Sequence, residues 1–231
     1  MSRLTEESTY RYNELLHDGH ALLERSYPQA LWKGDPQRAE IALTFDDGPS
    51  AKDLGDILRV LDRHQATATF FFIGEKVPAA AQLVREVAAA GHTIGMHGYR
   101  HVAFPQVKPL LLRAELALTR TLITRLCGWP AERVRNIRPP YGVFTPTTLA
   151  LLAAWGYRPV MWSLVPFHWR ISAAQSRSQI QQRLTRGSLV VLHEAMVDGA
   201  PVVDLLDTTL DRARACGLRT ISIDAMWAQR R

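Results

Sequence analysis

Short apolar runs alternate with segments of helical spacing along most of this chain. Beyond residue 40, the apolar and β-branched runs lie at 41–45, 68–73, 92–96, 134–138, 158–163, 188–193 and 219–223. Five of the intervening segments have helical spacing and end near a glycine, at 78–90, 110–126, 146–155, 173–185 and 202–215. Short runs of this kind predict buried strands, and their alternation with helices predicts a parallel sheet. We therefore expect an α/β fold, either open and doubly wound or closed as a barrel.

The first forty residues follow a different pattern. Their spacing predicts one amphipathic helix, whose apolar side carries Tyr12, Leu15, Leu16, His20, Leu22 and Leu23. A turn at Gly34-Asp35-Pro36 then leads into the first apolar run. We predict an N-terminal helical cap over residues 1–37 that packs on the main fold at 38–231, with one domain overall.

Composition and charge narrow the class of protein. The chain is 47% hydrophobic and 22% charged, and no stretch has eighteen uninterrupted apolar residues, so we expect a globular protein without a transmembrane helix. The polar N-terminus shows no signal peptide, which predicts a cytosolic protein unless a leader has been removed. The net charge of +6 comes mainly from scattered arginines, which is typical of a solvated surface. We therefore predict no nucleic-acid partner. The positive charge nevertheless favours an anionic polymer as the binding partner.

Reactive side chains stand at the ends of several predicted strands. Asp46 and Asp47 end the first run, and Gly48-Pro49 stops it. His97 follows the third run, Arg138 ends the fourth, and His193 ends the sixth. Because the carboxyl ends of parallel strands meet at one edge, where barrels have their active sites, we expect these groups to converge.

The spacing of two histidines and the paired aspartates indicates a metal site. His97 and His101 are four residues apart, and an aspartate from a neighbouring strand would complete two nitrogens and one oxygen. This is the three-ligand pattern of catalytic zinc, with a position left for water. Neighbouring side chains on a strand point in different directions, so one acid can bind the ion while the other acts as a base. On its own, Asp-Asp-Gly is also consistent with a surface turn. The first strand-to-helix turn lacks Gly-x-Gly-x-x-Gly, which argues against a dinucleotide cofactor.

Four motifs, taken in order, resemble those of a known family. They are Thr44-Phe45-Asp46-Asp47-Gly48-Pro49, His97-x-x-x-His101, Arg138-Pro139-Pro140-Tyr141-Gly142 and Leu192-His193. Over residues 38–226 the chain resembles the polysaccharide deacetylases, the NodB-homology enzymes of carbohydrate esterase family 4. The resemblance implies a distorted, incomplete (β/α)7-type barrel as the catalytic domain. It also implies a hydrolase of carbon–nitrogen bonds other than peptide bonds, which removes N- or O-acetyl groups from a sugar or polysaccharide and is often extracytoplasmic.

The resemblance also implies a role for each matching residue. Asp47, His97 and His101 would hold one divalent ion, and the water on that ion would be the nucleophile. Zinc is the expected ion, with cobalt, nickel and manganese as alternatives. The other roles are those of Asp46 as general base, Arg138 as its partner, the Tyr141 backbone N–H as oxyanion donor and His193 as general acid.

The fourth motif of the family departs from its usual form here. It usually reads Trp-Ser-x-Asp-x-x-Asp-Trp, whereas Val165 and His168 replace both acids in residues 162–169. In the family the first of these acids pairs with the acid histidine, so without it we expect His193 to be a weaker and less oriented acid. Glu194, Asp198 and His168 are candidates to compensate. Two alternatives therefore stay open, a hydrolase of a non-sugar amide and a catalytically silent carbohydrate-binding relative.

Overall fold

The computed structural model describes residues 21–194 and 201–230, and within these ranges the chain alternates strand and helix. The strands are β1 (Glu40–Asp46), β2 (Ala68–Phe72), β3 (Thr93–Met96), β4 (Asn136–Ile137), β5 (Arg158–Pro159), β6 (Leu189–His193) and β7 (Arg219–Thr220). The α-helices with both ends described are α1 (Leu54–Arg63), α2 (Ala81–Ala89), α3 (Pro109–Cys127), α4 (Pro146–Ala154), α5 (Ala173–Arg183), α6 (Val202–Ala215) and α7 (Ile223–Ala228).

The strands form one parallel sheet that curls toward closure. Its order is β5-β4-β3-β2-β1-β6, and β7 pairs with the start of β1. The chain after β5 bonds to β6 at the opposite edge, where the Leu164 N–H donates to the Leu189 carbonyl at 3.1 Å and the Val191 N–H to the Leu164 carbonyl at 2.9 Å. The sheet is therefore a distorted, incomplete barrel. This confirms the predicted fold class and excludes the open, doubly wound alternative.

The central strand β1 lies between β2 and β6, and all seven of its residues are buried. Phe45 stacks on Phe70 of β2, with ring centroids 4.9 Å apart, in the large core under the helices. Phe71 points the other way, into a smaller apolar cluster with Ala42. Because helices cover one face and the barrel interior the other, β1 and β2 are buried on both faces, as expected of parallel strands. The interior face of β1 also carries the polar side chains of Thr44 and Asp46.

Two helices and several strand ends differ from the sequence prediction. The sequence analysis did not predict α1, and it extended the last strand to residue 223, where α7 begins. The Ser222 hydroxyl accepts a hydrogen bond from the Ala225 N–H at 3.1 Å, which caps α7 and ends the extended segment. Strand β5 is shorter than predicted, and the chain just beyond it pairs with Leu31, whose N–H donates to the Pro159 carbonyl and whose carbonyl accepts the Met161 N–H.

The chain before β1 packs against the barrel as far as the structure describes it. Residues 21–26 are helical, and Leu31 and Trp32 are buried. The predicted helix over residues 12–23 lies almost entirely outside the described residues, and the division between 37 and 38 stays a prediction. None of the described helices is long and apolar enough to cross a membrane.

Candidate metal and catalytic centre

The two adjacent aspartates separate where β1 ends. Asp46 is the last residue of the strand and is only 2% exposed. Asp47 has a φ of 69°, a left-handed conformation that aspartate tolerates better than most residues. The Lys76 Nζ donates to the Asp47 backbone carbonyl at 2.8 Å and holds this turn in place. The two carboxylates therefore meet different surroundings, as strand alternation suggested.

Asp46 lies against a fully buried arginine. The Arg138 Nη1 donates to the Asp46 Oδ1 at 2.6 Å and to the Thr44 Oγ1 at 2.8 Å, and its Nη2 donates to the Met161 carbonyl at 2.8 Å. The Thr44 hydroxyl in turn donates to the Val190 carbonyl at 2.7 Å. Burial raises the pKa of Asp46 above its ordinary value, and the charge and hydrogen bond of Arg138 oppose that rise. A cation bound nearby would add to the effect of Arg138, lower the pKa of Asp46 and favour the carboxylate.

The three predicted metal ligands converge. The Asp47 Oδ1 lies 3.4 Å from the His97 Nε2 and 3.2 Å from the His101 Nε2. One potential ligand atom from each of the three residues lies within 4.8 Å of the others. The Asp47 Oδ1 is buried and has no hydrogen-bond partner in the described part of the chain.

His97 is prepared to act as a ligand. Its Nδ1 lies 2.8 Å from the Arg138 backbone carbonyl, which only accepts hydrogen bonds, so the Nδ1 carries the proton and the Nε2 lone pair faces Asp47. Burial lowers the pKa of His97 to about 3, which keeps the imidazole neutral. A neutral imidazole beside an unpaired buried carboxylate oxygen fits a divalent cation.

Tyr141 stands at the edge of this cluster. Its ring centroid lies 4.3 Å from that of His101, and its hydroxyl donates to the His101 carbonyl at 3.3 Å. Tyr141 has a φ of 60° and Gly142 one of 67°, so two successive residues are left-handed. A side chain at position 142 would overlap the Trp162 ring, which packs directly on this turn. Strained backbone of this kind is frequent at functional sites.

His193 lies beside Asp46, because the two residues are paired in register on the adjacent strands β6 and β1. Its ring packs edge-on against Trp169, with centroids 4.2 Å apart, and its backbone N–H donates to the His168 Nε2 at 3.1 Å. The His193 Nδ1 is buried and lacks a hydrogen-bond partner among the described residues. Burial lowers the pKa of His193 well below its ordinary value, and His168 lowers it further.

Of the two motif positions that have lost their acids, the structure places the second, His168, beside His193 and not the first, Val165. The His168 ring lies 5.8 Å from the His193 ring. Val165 instead packs against the small apolar cluster inside the barrel. This differs from our expectation that the first position, that of Val165, is the partner of the acid histidine.

The other candidates for compensation divide in two. Glu194 is turned away into the protein, where its Oε2 accepts the Ser50 N–H at 2.8 Å, and burial raises its pKa to about 8. Asp198 lies outside the described residues. In the described chain, the fourth motif therefore places the imidazole of His168, rather than a carboxylate, beside His193.

The sequence analysis gave no supporting role to Thr44 or Lys76, and it considered Glu194 only as a candidate to compensate for the missing acids. Thr44 is two residues before Asp46 on the same strand, so the alternation of side chains already placed it on the same face. Lys76 and Glu194 contact segments that are distant from them in sequence, and no local residue pattern predicted these contacts.

Comparison with known proteins agrees with this geometry. The family model described as polysaccharide deacetylase matches residues 33–160, which is more than half of the chain. A peptidoglycan-N-acetylglucosamine deacetylase of Bacillus cereus is 30% identical over 200 residues, covering 85% of this chain and 71% of the relative. A chitooligosaccharide deacetylase of a Bradyrhizobium species is 33% identical over 160 residues, covering 69% and 72%. The crystal structure of a peptidoglycan N-acetylglucosamine deacetylase superposes with a TM-score of 0.80 at 29% identity, covering 86% of this chain and 92% of the other.

Proposed function

The chain belongs to the polysaccharide deacetylase family and is a hydrolase of carbon–nitrogen bonds other than peptide bonds, and we propose that it removes N-acetyl groups from N-acetylglucosamine residues of a glycan. The observation that carries this proposal is the cluster of Asp47, His97 and His101 beside a separate buried carboxylate, that of Asp46. The substrates named for the relatives, peptidoglycan and chitooligosaccharides, supply the polymer class.

Asp47, His97 and His101 would hold one divalent ion. Two imidazoles and one carboxylate suit zinc, and cobalt, nickel and manganese remain alternatives. When bound, such an ion lowers the pKa of water toward about 7 and polarises the acetyl carbonyl. The Arg138 carbonyl fixes the orientation of His97, and Lys76 fixes the backbone of Asp47.

Asp46 is placed to act as the base. Arg138 occupies its Oδ1, and its Oδ2 lies 4.0 Å from the His97 Nε2, on the side of the ligand cluster. The attacking water would give its proton to this oxygen. The bond to Arg138 fixes the Asp46 carboxylate, so that its free oxygen keeps its direction during the proton transfer. A well-placed general base typically raises the rate by about 10²–10⁴-fold.

Two further groups would complete the reaction. The Tyr141 backbone N–H is the oxyanion donor that the family motif implies, and such a donor typically contributes about 3 kcal/mol. The leaving amine needs a proton, because an amide anion leaves poorly. His193 is the proposed donor of that proton.

Acetate release tests the proposal. The protein is incubated with N-acetylglucosamine oligomers and with peptidoglycan, with and without a chelator, and then with zinc restored. We expect acetate release that stops on chelation and returns with zinc. Turnover of simple amides without acetate loss from either glycan would indicate the non-sugar amidase instead. Glycan binding without turnover, both before and after metal addition, would indicate the silent relative.

The pH profile of the proposed acid gives a more specific prediction. His193 donates a proton to the leaving amine only when it is protonated. Because its pKa is low, activity should begin to fall at a comparatively low pH as the pH is raised. A carboxylate within reach raises a histidine pKa, and we expect His168→Asp to move the alkaline limb of kcat upward by about 1–3 pH units. The measurement is kcat against pH with saturating zinc.

His168→Asn is the matched control, since it removes the second imidazole without adding charge. Its alkaline limb should stay well below that of His168→Asp. An identical limb in both variants would show that His193 is not the group that titrates.

A further inference from the structure

We propose that Glu194 is a positioning residue that holds the loop of residues 46–50 in the conformation that binds the metal ion. This inference rests on the proposed function of Asp47, His97 and His101. It concerns a buried carboxyl group that the proposed reaction does not otherwise use.

Glu194 contacts the loop at both ends. Its backbone N–H donates to the Asp46 carbonyl at 2.9 Å, one residue beyond the last β1–β6 pair. Its side chain turns inward and accepts the Ser50 N–H on Oε2 at 2.8 Å. One residue therefore binds the chain just before and just after the segment that carries Asp47.

The middle of the loop rests on the same carboxylate. A Cβ atom built on Gly48 would overlap the Glu194 Oε1, and its three nearest neighbours are all carboxyl atoms of Glu194. From the other side, the Ile73 N–H donates to the Gly48 carbonyl at 2.8 Å, and Lys76 donates to the Asp47 carbonyl. The loop is thus clamped between Glu194 and the residues that follow β2.

Stability alone does not account for this carboxyl group. Glu194 is fully buried, and its Oε1 has no hydrogen-bond partner in the described ranges. Burying a carboxyl group with one oxygen unsatisfied is unfavourable, and an apolar side chain of similar size would avoid that cost. What the carboxyl group supplies is the acceptor for the Ser50 N–H and a flat surface against Gly48, and both hold the turn that carries Asp47.

Metal affinity is the direct test. The zinc dissociation constant of the metal-free protein is measured by competition with a chromogenic chelator, and thermal unfolding of the metal-free protein is recorded alongside. We expect Glu194→Ala to weaken zinc binding by about 10–100-fold, the usual effect of losing a residue that orients a ligand. Glu194→Gln keeps an acceptor for Ser50 and should bind zinc nearly as well as the original protein. Loss of unfolding temperature in Glu194→Ala with unchanged zinc affinity would overturn the inference.

Gly48→Ala provides a second route, and the single variant still tests the clamp if Glu194→Ala does not fold. Its methyl group must displace the loop while Glu194 is present, so zinc binding should weaken. In the Glu194→Ala background the space is open, and the same methyl group should have little further effect. Additive effects of the two substitutions on zinc affinity would contradict the clamp.

Asp47→Ala separates this inference from the function on which it rests. If Asp47→Ala retains zinc affinity, the ligand assignment itself is wrong. If Asp47→Ala loses zinc while Glu194→Ala and Gly48→Ala do not, the ligand assignment stands and only the role of Glu194 falls.

Discussion

Replacing Asp46 with asparagine is expected to lower kcat for deacetylation by about 10²–10⁴-fold, the range for loss of a general base, while zinc affinity stays close to that of the original protein. The amide has the shape of the carboxylate and keeps an oxygen for Arg138, but it accepts no proton from water. Acetate release and zinc competition, measured on the same preparation, give both quantities.

Asp47→Asn is the control for this experiment. The adjacent carboxylate belongs to the ligand cluster, so its replacement should lower zinc affinity and activity together. If Asp46→Asn loses zinc to the same extent as Asp47→Asn, Asp46 is a ligand rather than the base, and the division of roles between the two acids is wrong.

The second large effect concerns stability. We expect Arg138→Met to reduce the free energy of unfolding by about 3–5 kcal/mol, because it leaves the Asp46 carboxylate buried without its partner. It also removes the donors to Thr44 and to the Met161 carbonyl. Urea unfolding at neutral pH measures the change. A loss below about 1 kcal/mol, as for an exposed ion pair, would show that Asp46 finds another partner.

The pH dependence of this loss has a definite sign. Without Arg138, the folded-state pKa of Asp46 rises further above that of the unfolded chain. The folded protein then binds more protons than the unfolded one at intermediate pH, so stability falls as the pH rises. The penalty of Arg138→Met should therefore be largest at neutral pH and should shrink as the pH approaches the pKa of an unfolded aspartate. In the Asp46→Asn background the substitution should cost less, since no buried charge is left.

The sequence predicted the sheet and the convergence of the aspartates with His97 and His101 because both follow from local pattern, whereas the choice of Asp47 over Asp46 as the ligand was implied by the family resemblance. The apolar run of β1 and the polar residues at the strand ends are visible residue by residue, and parallel pairing brings those ends together. The spacing of Leu54, Ile57 and Leu61 also fits the buried face of α1. The same reasoning could therefore have predicted this helix, which the sequence analysis did not include.

Contacts between distant segments were not predictable in this way. The chain beyond β5 pairs with Leu31, which lies more than a hundred residues earlier in the sequence. The neighbour of His193 depends on the path of the loop through Phe167, whose φ of 51° no residue pattern specified. The family pattern named two positions for an acid, and only the folded loop shows that His168 is the one beside His193.

The segment that joins β5 to β6 has an evolutionary consequence. It closes the barrel and carries both Trp162 and His168, yet it contributes none of the three clustered ligand residues. Substitutions here would change the surroundings of His193 but not Asp47, His97 and His101, which stand at or after the ends of β1 and β3. A protein with this architecture can therefore vary around His193 through a single connection, without any change to the three clustered residues.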